Sequence, residues 1–328
     1  MKQVNNIISA GISLPQDTGN LLPGEIYLSN ESRFAETHYS EPLTTYLVGW
    51  KDPANIEGTL DFIAPPVQAP GRLFEFKQLM NADEFLSETD DMRAIGADFK
   101  RVEYRGQDAQ AKTFNKGLTI RLDLDQYFDI EQAQQLGAER LWRRLLRNEL
   151  RRGVTALLAA AGTATAKTWS SGTPDPDQDV LTALISATDG SGIRPNRVIY
   201  NETAWNKRVM AFRSQNVAGA YASAQLTPEE LAALISVDKV LVSRERYQTT
   251  TTTKSKVLSD VVIGFYGEDG AQLEDPTNLK RFWSPVQGGG KMRVYVQQIS
   301  TKLVDVSVEH YSNVVSPTSL GMFILGIS

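Results

Sequence analysis

The sequence predicts an α+β fold strung along one long helix, and three stretches predict it. Residues 129–162 hold no proline and are dominated by Ala, Leu, Arg, Gln and Glu, all strong helix formers. Residues 291–310 alternate apolar and polar side chains with the period of two that a half-buried strand requires. Between them, residues 180–266 interleave short apolar runs with helical patterns, the signature of a sheet layered by helices.

Residues 1–57 read as an extended arm. Apolar residues come in short bursts, and Pro15, Pro23, Pro42 and Pro53 break any long element. So little periodic apolar surface cannot make its own core, which points to a neighbouring subunit as its support. Residues 58–128 read as a long β-hairpin excursion. Its expected strands are Thr59–Ile63, Arg72–Lys77, Phe99–Tyr104 and Gly117–Asp125, with a helical turn over Ala82–Leu86. An acidic group lies inside it: Asp83, Glu84, Glu88, Asp90 and Asp91.

The long helix follows, with Asp129 as N-cap and Gly162 as the left-handed residue at its C-terminus. At ~1.5 Å rise per residue it would be roughly 45–50 Å long. Leu146, Leu150, Val154, Leu157, Leu158 and Ala161 recur at three- and four-residue spacing and mark its buried face. Arg140, Arg143, Arg144, Arg147, Arg151 and Arg152 crowd the other faces, and must meet solvent, another subunit or an anion. Glu139 and Glu149 lie within helical reach of Arg143 and Arg152.

A polar linker, 163–179, leads into the α/β region. A helix over Val180–Thr188 precedes a strand at Arg197–Tyr200, and Asn201 caps a second helix over Glu202–Phe212. Thr227-Pro-Glu-Glu230 is a capping box opening a third helix. Lys239–Val242 and Val261–Tyr266 read as strands joined by an exposed threonine-rich hairpin loop, 249–253. Lys291–Gln298 and Thr301–His310 are long strands, and Leu320–Leu325 is a short terminal one.

Composition bounds the function. With 328 residues, 41% hydrophobic and 22% charged, the chain is long enough for about two globular domains. Its net charge of −5 argues against a general nucleic-acid binder but permits a local basic strip. With no cysteine there is no disulfide or thiolate metal site, and no run approaches the ~20 apolar residues of a membrane span, so a soluble protein is expected. His38 and His310, the two histidines, have no ligand spacing around them. Gly288-Gly-Gly-Lys291 matches a phosphate loop only faintly, since Met292 stands where Ser or Thr is required. Asp123 and Asp125 could pair as acid and base on one strand face, but solvated carboxylates are the commoner meaning of that pattern.

The order of elements, extended arm, long hairpin, long spine helix, α/β region, return strands and short terminal strand, resembles the major capsid proteins of tailed double-stranded-DNA bacteriophages, the Hong Kong 97-type fold family. Four passages look like the family: Arg93-Ala-Ile-Gly-Ala97 before the hairpin's return, Arg140–Glu149 in the spine helix, Arg194–Trp205 at a strand-to-helix step, and Leu234–Val242 at the next helix-to-strand step. The resemblance implies an N-terminal arm at 1–57 and an extended loop at 58–128. It implies a peripheral domain of 129–164 and 288–315, and an axial domain of 165–287 and 316–328. It implies a structural protein that assembles with itself into hexamers and pentamers of an icosahedral virion shell around double-stranded DNA. Portal, scaffolding and decoration proteins are its further partners, and assembly takes place in the host cytoplasm. No cofactor, metal, membrane or catalytic residue is implied. One branch of the family crosslinks a loop lysine to a neighbour's asparagine; Lys100, Lys112, Lys116 and Asn313 are present, without a motif for that chemistry.

Two other readings stay open. An encapsulin-type nanocompartment has a similar fold and holds protein cargo, and an α/β enzyme would act as a monomer with a ligand in its cleft. For the shell reading, Glu84, Glu88, Asp90 and Asp91 are expected to meet basic side chains of an adjacent subunit. Most of Arg140, Arg144, Arg147 and Arg151 are expected to engage carboxylates within or between subunits, with a minority facing DNA.

Overall fold

The computed structural model describes residues 38–78 and 107–328, except 216, 251, 271–275 and 288, together with 92, 93, 95 and 98. Most of the arm, the helical turn at Ala82–Leu86, the strand at Phe99–Tyr104 and the whole acidic group Glu84, Glu88, Asp90 and Asp91 therefore lie outside the described residues.

Two helices stand where arm and strand are expected. Helix α1, Glu41–Gly49, starts at Ser40, whose side chain accepts from the Leu43 amide, with Pro42 in the first turn. Proline is harmless there because its missing N–H would have no helical partner, so Pro42 opens an element instead of breaking one. Helix α2, Ile56–Ile63, replaces the expected strand at Thr59–Ile63. Its buried residues Ile56, Leu60 and Ile63 have helical spacing, which a five-residue window reads as alternation.

Strand β1, Pro66–Gln68, and the antiparallel hairpin of β2, Leu73–Gln78, and β3, Gln107–Lys112, come next. Phe74 packs against Phe282 with tilted rings at a centroid distance of 4.4 Å, fixing the hairpin's base to the main sheet. Strand β4, Phe114–Asp123, ends in a 3-10 turn, Leu124–Gln126, so Asp123 and Asp125 do not share a strand face.

The long helix is α3, Ile130–Ala161. The Asp129 carboxylate accepts from the amides of Glu131 and Gln132. Gly162 ends the helix at φ +75°, ψ −137°, beyond the αL basin and comfortable for glycine alone. Leu141, Trp142, Leu145, Leu146, Leu150, Val154 and Leu157 are buried. A Cβ on Gly153 would stand 3.3 Å from Leu60 Cδ1, so α2 crosses α3 at a glycine.

Beyond α3, strand β5, Thr165–Lys167, precedes helix α4, Pro176–Ser191. Then come β6, Arg197–Asn201; α5, Glu202–Ser214; α6, Ala218–Gln225; and α7, Pro228–Leu234. Asn201 caps α5 through the Thr203 amide, and both arms of the Thr227–Glu230 capping box are made, as the sequence predicts. Strand β7, Lys239–Ser243, leads into a hairpin of β8, Arg246–Gln248, and β9, Lys254–Lys256, and then into β10, Val261–Phe265. Strands β11, Lys280–Ser284; β12, Met292–Gln298; β13, Leu303–Val315; and β14, Phe323–Ile327, close the chain.

Residues 40–328 form one compact unit holding two larger sheets. In the first, β13 pairs antiparallel with β4, β12 and β11, and β11 pairs parallel with β1. Helix α3 lies on this sheet with α1 and α2 beside it, sharing one core. The second sheet runs β5-β14-β10-β6-β7 with parallel pairs at both ends, and its core against α4, α5 and α7 contains Val180, Leu184, Tyr200, Leu231 and Phe323.

Candidate functional site

The arginines of α3 separate into two sets. Arg143 and Arg152 pair inside the chain: Arg143 Nε donates to the buried Asp52 carboxylate at 2.9 Å and its guanidinium lies over Trp50, and Arg152 Nη1 donates to Glu149 at 3.2 Å. Glu139, expected as a partner of Arg143, accepts instead from the Tyr46 hydroxyl at 2.5 Å. Arg140, Arg144, Arg147 and Arg151 are all exposed, and among the described residues none has a carboxylate within ion-pair distance. Arg151 lies 4.0 Å over the Tyr247 ring, which ties the β8–β9 hairpin to the helix. Glu245, beside β8, faces Arg147 without forming an ion pair. At about 100° per residue the four arginines fall within an arc of roughly 60°, opposite the buried face. The within-chain part of the carboxylate expectation thus falls on their neighbours.

Under the helix lies a buried polar knot that no sequence motif marks. Glu149, 2% exposed, accepts from Lys116 Nζ at 2.6 and 2.9 Å and from the Ser312 hydroxyl. Burial alone would raise its pKa, but the Lys116 charge and these hydrogen bonds hold it below the ordinary carboxylate value. Lys116 is thereby engaged inside its own chain, and Asn313 donates to the Lys112 carbonyl at 2.9 Å.

His310 stands beside this knot, 6% exposed and edge-on to Trp142 at 5.4 Å. Sequence alone makes it a surface or interface residue at a strand end; β13 instead continues to Val315, and His310 falls on its buried face. Among the described residues its Nδ1 has no hydrogen-bond partner. Burial pushes its pKa down to about 4, with Glu149 opposing and Lys116, Arg281 and Arg152 adding to the depression. A folded value below the unfolded ~6.5 means that the native state excludes the proton. Its contribution to stability is therefore complete above about pH 6.5 and is lost as pH falls toward 4, by about 3 kcal/mol in all. Urea unfolding at pH 7 and pH 4.5 should show wild type losing roughly 2–3 kcal/mol more than His310→Leu. Equal losses would remove His310 from the account.

The remaining candidates have structural duties. Asp123 accepts from the Asp125 amide, and Asp125 pairs with Lys302 at 2.6 Å. The Gly-Lys segment before β12 opens a strand, whereas a phosphate loop opens a helix; Lys291 lies over the Trp283 ring. Among the described residues no group of three or more His, Asp or Glu could hold a metal ion, and no helix is long and apolar enough to cross a membrane.

No family model and no curated protein matches the chain. Among solved structures, a phage-related protein from Bordetella bronchiseptica RB50 is similar with a TM-score of 0.62 at 17% identity, over 88% of this chain and 96% of that one. The chain has that protein's fold. A putative capsid protein of a prophage from E. coli CFT073 (TM-score 0.49, 12% identity, 88% of this chain and 99% of that one) is also similar. So is the capsid of cyanophage P-SCSP1u (TM-score 0.47, 13% identity, 81% and 86%). Hairpin, spine helix, helix-layered sheet and long return strands follow one another in the order the sequence predicts.

Proposed function

We propose that this chain is a structural major capsid protein that assembles into hexamers and pentamers of an icosahedral phage head enclosing double-stranded DNA. The observation that carries the reading is the fold shared with the phage-related protein over 88% of this chain and 96% of the other. Exposed apolar side chains support it: Leu73 and Phe114 on the hairpin and β4, and Phe128, Ile130 and Leu136 at the start of α3. Single exposed residues are ordinary, but so many near one end of a helix suit a surface that neighbours cover.

In this reading the arm lies ahead of residue 40, since α1 and α2 belong to the compact unit. The extended loop carries the acidic group toward a neighbour's basic side chains. The α3 sheet is the peripheral domain, and the β5-β14-β10-β6-β7 sheet is the axial one. The function is architectural, not enzymatic, and the partners are further copies of the chain, a portal, and scaffolding or decoration proteins.

The test is electron microscopy of the purified chain and of a variant lacking residues 1–40. The full chain should form closed shells, and the truncation should stay folded by circular dichroism without closing shells. A full chain that remains monomeric at high concentration, or shells filled with protein cargo, would overturn the proposal.

A further inference from the structure

We propose that the row Arg140, Arg144, Arg147 and Arg151, continued by the β8–β9 hairpin, is a docking surface for the phosphate backbone of duplex DNA. This rests on the proposed function only for the source of the DNA. The row covers about 16 Å of helix with one guanidinium per turn. Like charges at these spacings weaken a helix, so the arrangement calls for an anion. Among the described residues, carboxylates engage Arg143 and Arg152 on either side of the arc, and none lies within ion-pair distance of the four on it.

Duplex DNA fits better than a neighbouring subunit. The core of a protein interface surrounds its arginines with aromatic side chains and methionine, and is depleted of lysine, glutamate and aspartate. Between Arg140 and Arg151 the arc carries arginine alone. Guanidinium forks bind phosphate oxygens in pairs, and a duplex presents one phosphate charge per ~1.7 Å along its axis. At the end of the row, Arg151 stacks on Tyr247 and so holds the hairpin beside it. Arg244, Lys254 and Thr252 are exposed there, the last a hydroxyl able to donate to phosphate, while the hydroxyls of Thr249, Thr250 and Thr253 bond within the loop. Among the described residues the acids facing this end are Glu245, which faces Arg147; Asp52, near Glu245 and held by Arg143; and Glu202, which engages Arg246 at 2.5 Å and Arg244 at 3.9 Å. None closes on the row. A net acidic chain with one basic strip would hold DNA weakly and without sequence preference.

The test is fluorescence anisotropy of a dye-labelled random-sequence 24-bp duplex with the full chain, across salt from about 50 to 200 mM. The variant replaces all four arginines by Gln, and Lys302→Gln, at a distant exposed ion pair, is the control. The four-site variant should lose at least about tenfold in affinity at low salt, and the slope of log K on log salt should fall by about 3–4. The control should match wild type. Undiminished binding by the variant, or no binding by wild type, overturns the proposal. So does a variant that binds DNA normally but forms no shells, which would place the row against a neighbouring subunit. Loss of DNA binding in a chain that never forms shells would sustain this inference while removing the capsid reading.

Discussion

Asp177→Ala will destabilise the chain by about 3–5 kcal/mol, because it leaves a buried guanidinium without its counter-charge. Arg208 on α5 is fully buried; its Nε and Nη2 donate to the two Asp177 oxygens at 2.6 and 2.7 Å, and Nη2 also reaches the Ser223 carbonyl. Trp205 and Phe212 flank the cation at 5.0 and 5.3 Å, so water cannot replace the carboxylate without opening the core. The reciprocal change, Arg208→Met, should cost less. The stranded carboxylate lies in the first turn of α4, where backbone amides and the helix dipole favour negative charge. Removing both partners, with Asp177→Leu and Arg208→Met together, should recover much of the loss, since no unpaired charge then stays buried. With Asp177→Leu as the matching single change, urea unfolding of unassembled wild type, both singles and the double supplies the four corners of this cycle. Additive single losses would mean that the pair does not act as a unit.

What the sequence made legible was periodic. The α3 stretch, the alternation of β12 and β13 and the Thr227 capping box all follow from spacing and local hydrogen bonding, which require no distant partner. Short segments were misread for the same reason in reverse. Ile56, Leu60 and Ile63 become a helical face only once α3 is there to bury them, and Pro42 looks like a breaker until Ser40 is seen to cap the turn that it opens. Partners distant in sequence could not be read at all. Nothing in the local sequence ties Asp52 to Arg143, Tyr247 to Arg151, or Lys116 and Ser312 to Glu149. One buried pair did leave a trace: Arg208 sits on the same helical face as Ala204, Ala211 and Phe212, and an arginine on an apolar face calls for a buried acid. The arginine row was visible from spacing, but its lack of carboxylate partners required the fold.

Glu149→Ala should cost a similar 3–5 kcal/mol, by a different route. Glu149 joins three elements: Lys116 on β4, Ser312 on β13 and Arg152 on α3 itself. Without it, Lys116 keeps only Ser312, at 3.2 Å, and stands among Arg152 and Arg281, two cations that already disfavour its charge. Its ammonium must then lose its proton or draw water under α3, and either loosens the helix from its sheet. Glu149→Gln preserves the shape and a carbonyl acceptor, so if packing held the site together it would be nearly silent. If charge does, as the net lowering of the Glu149 pKa indicates, the Gln variant should lose most of what the Ala variant loses. Lys116→Met added to Glu149→Leu should relieve the defect, as no ion then remains buried. The sign with pH separates the routes further. A carboxylate held below its unfolded pKa stabilises above that value and ceases to as pH falls through its folded one. The penalty of Glu149→Gln should therefore be full at pH 7 and shrink in acid below about pH 4. A penalty constant down to pH 3 would assign Glu149 a packing role alone.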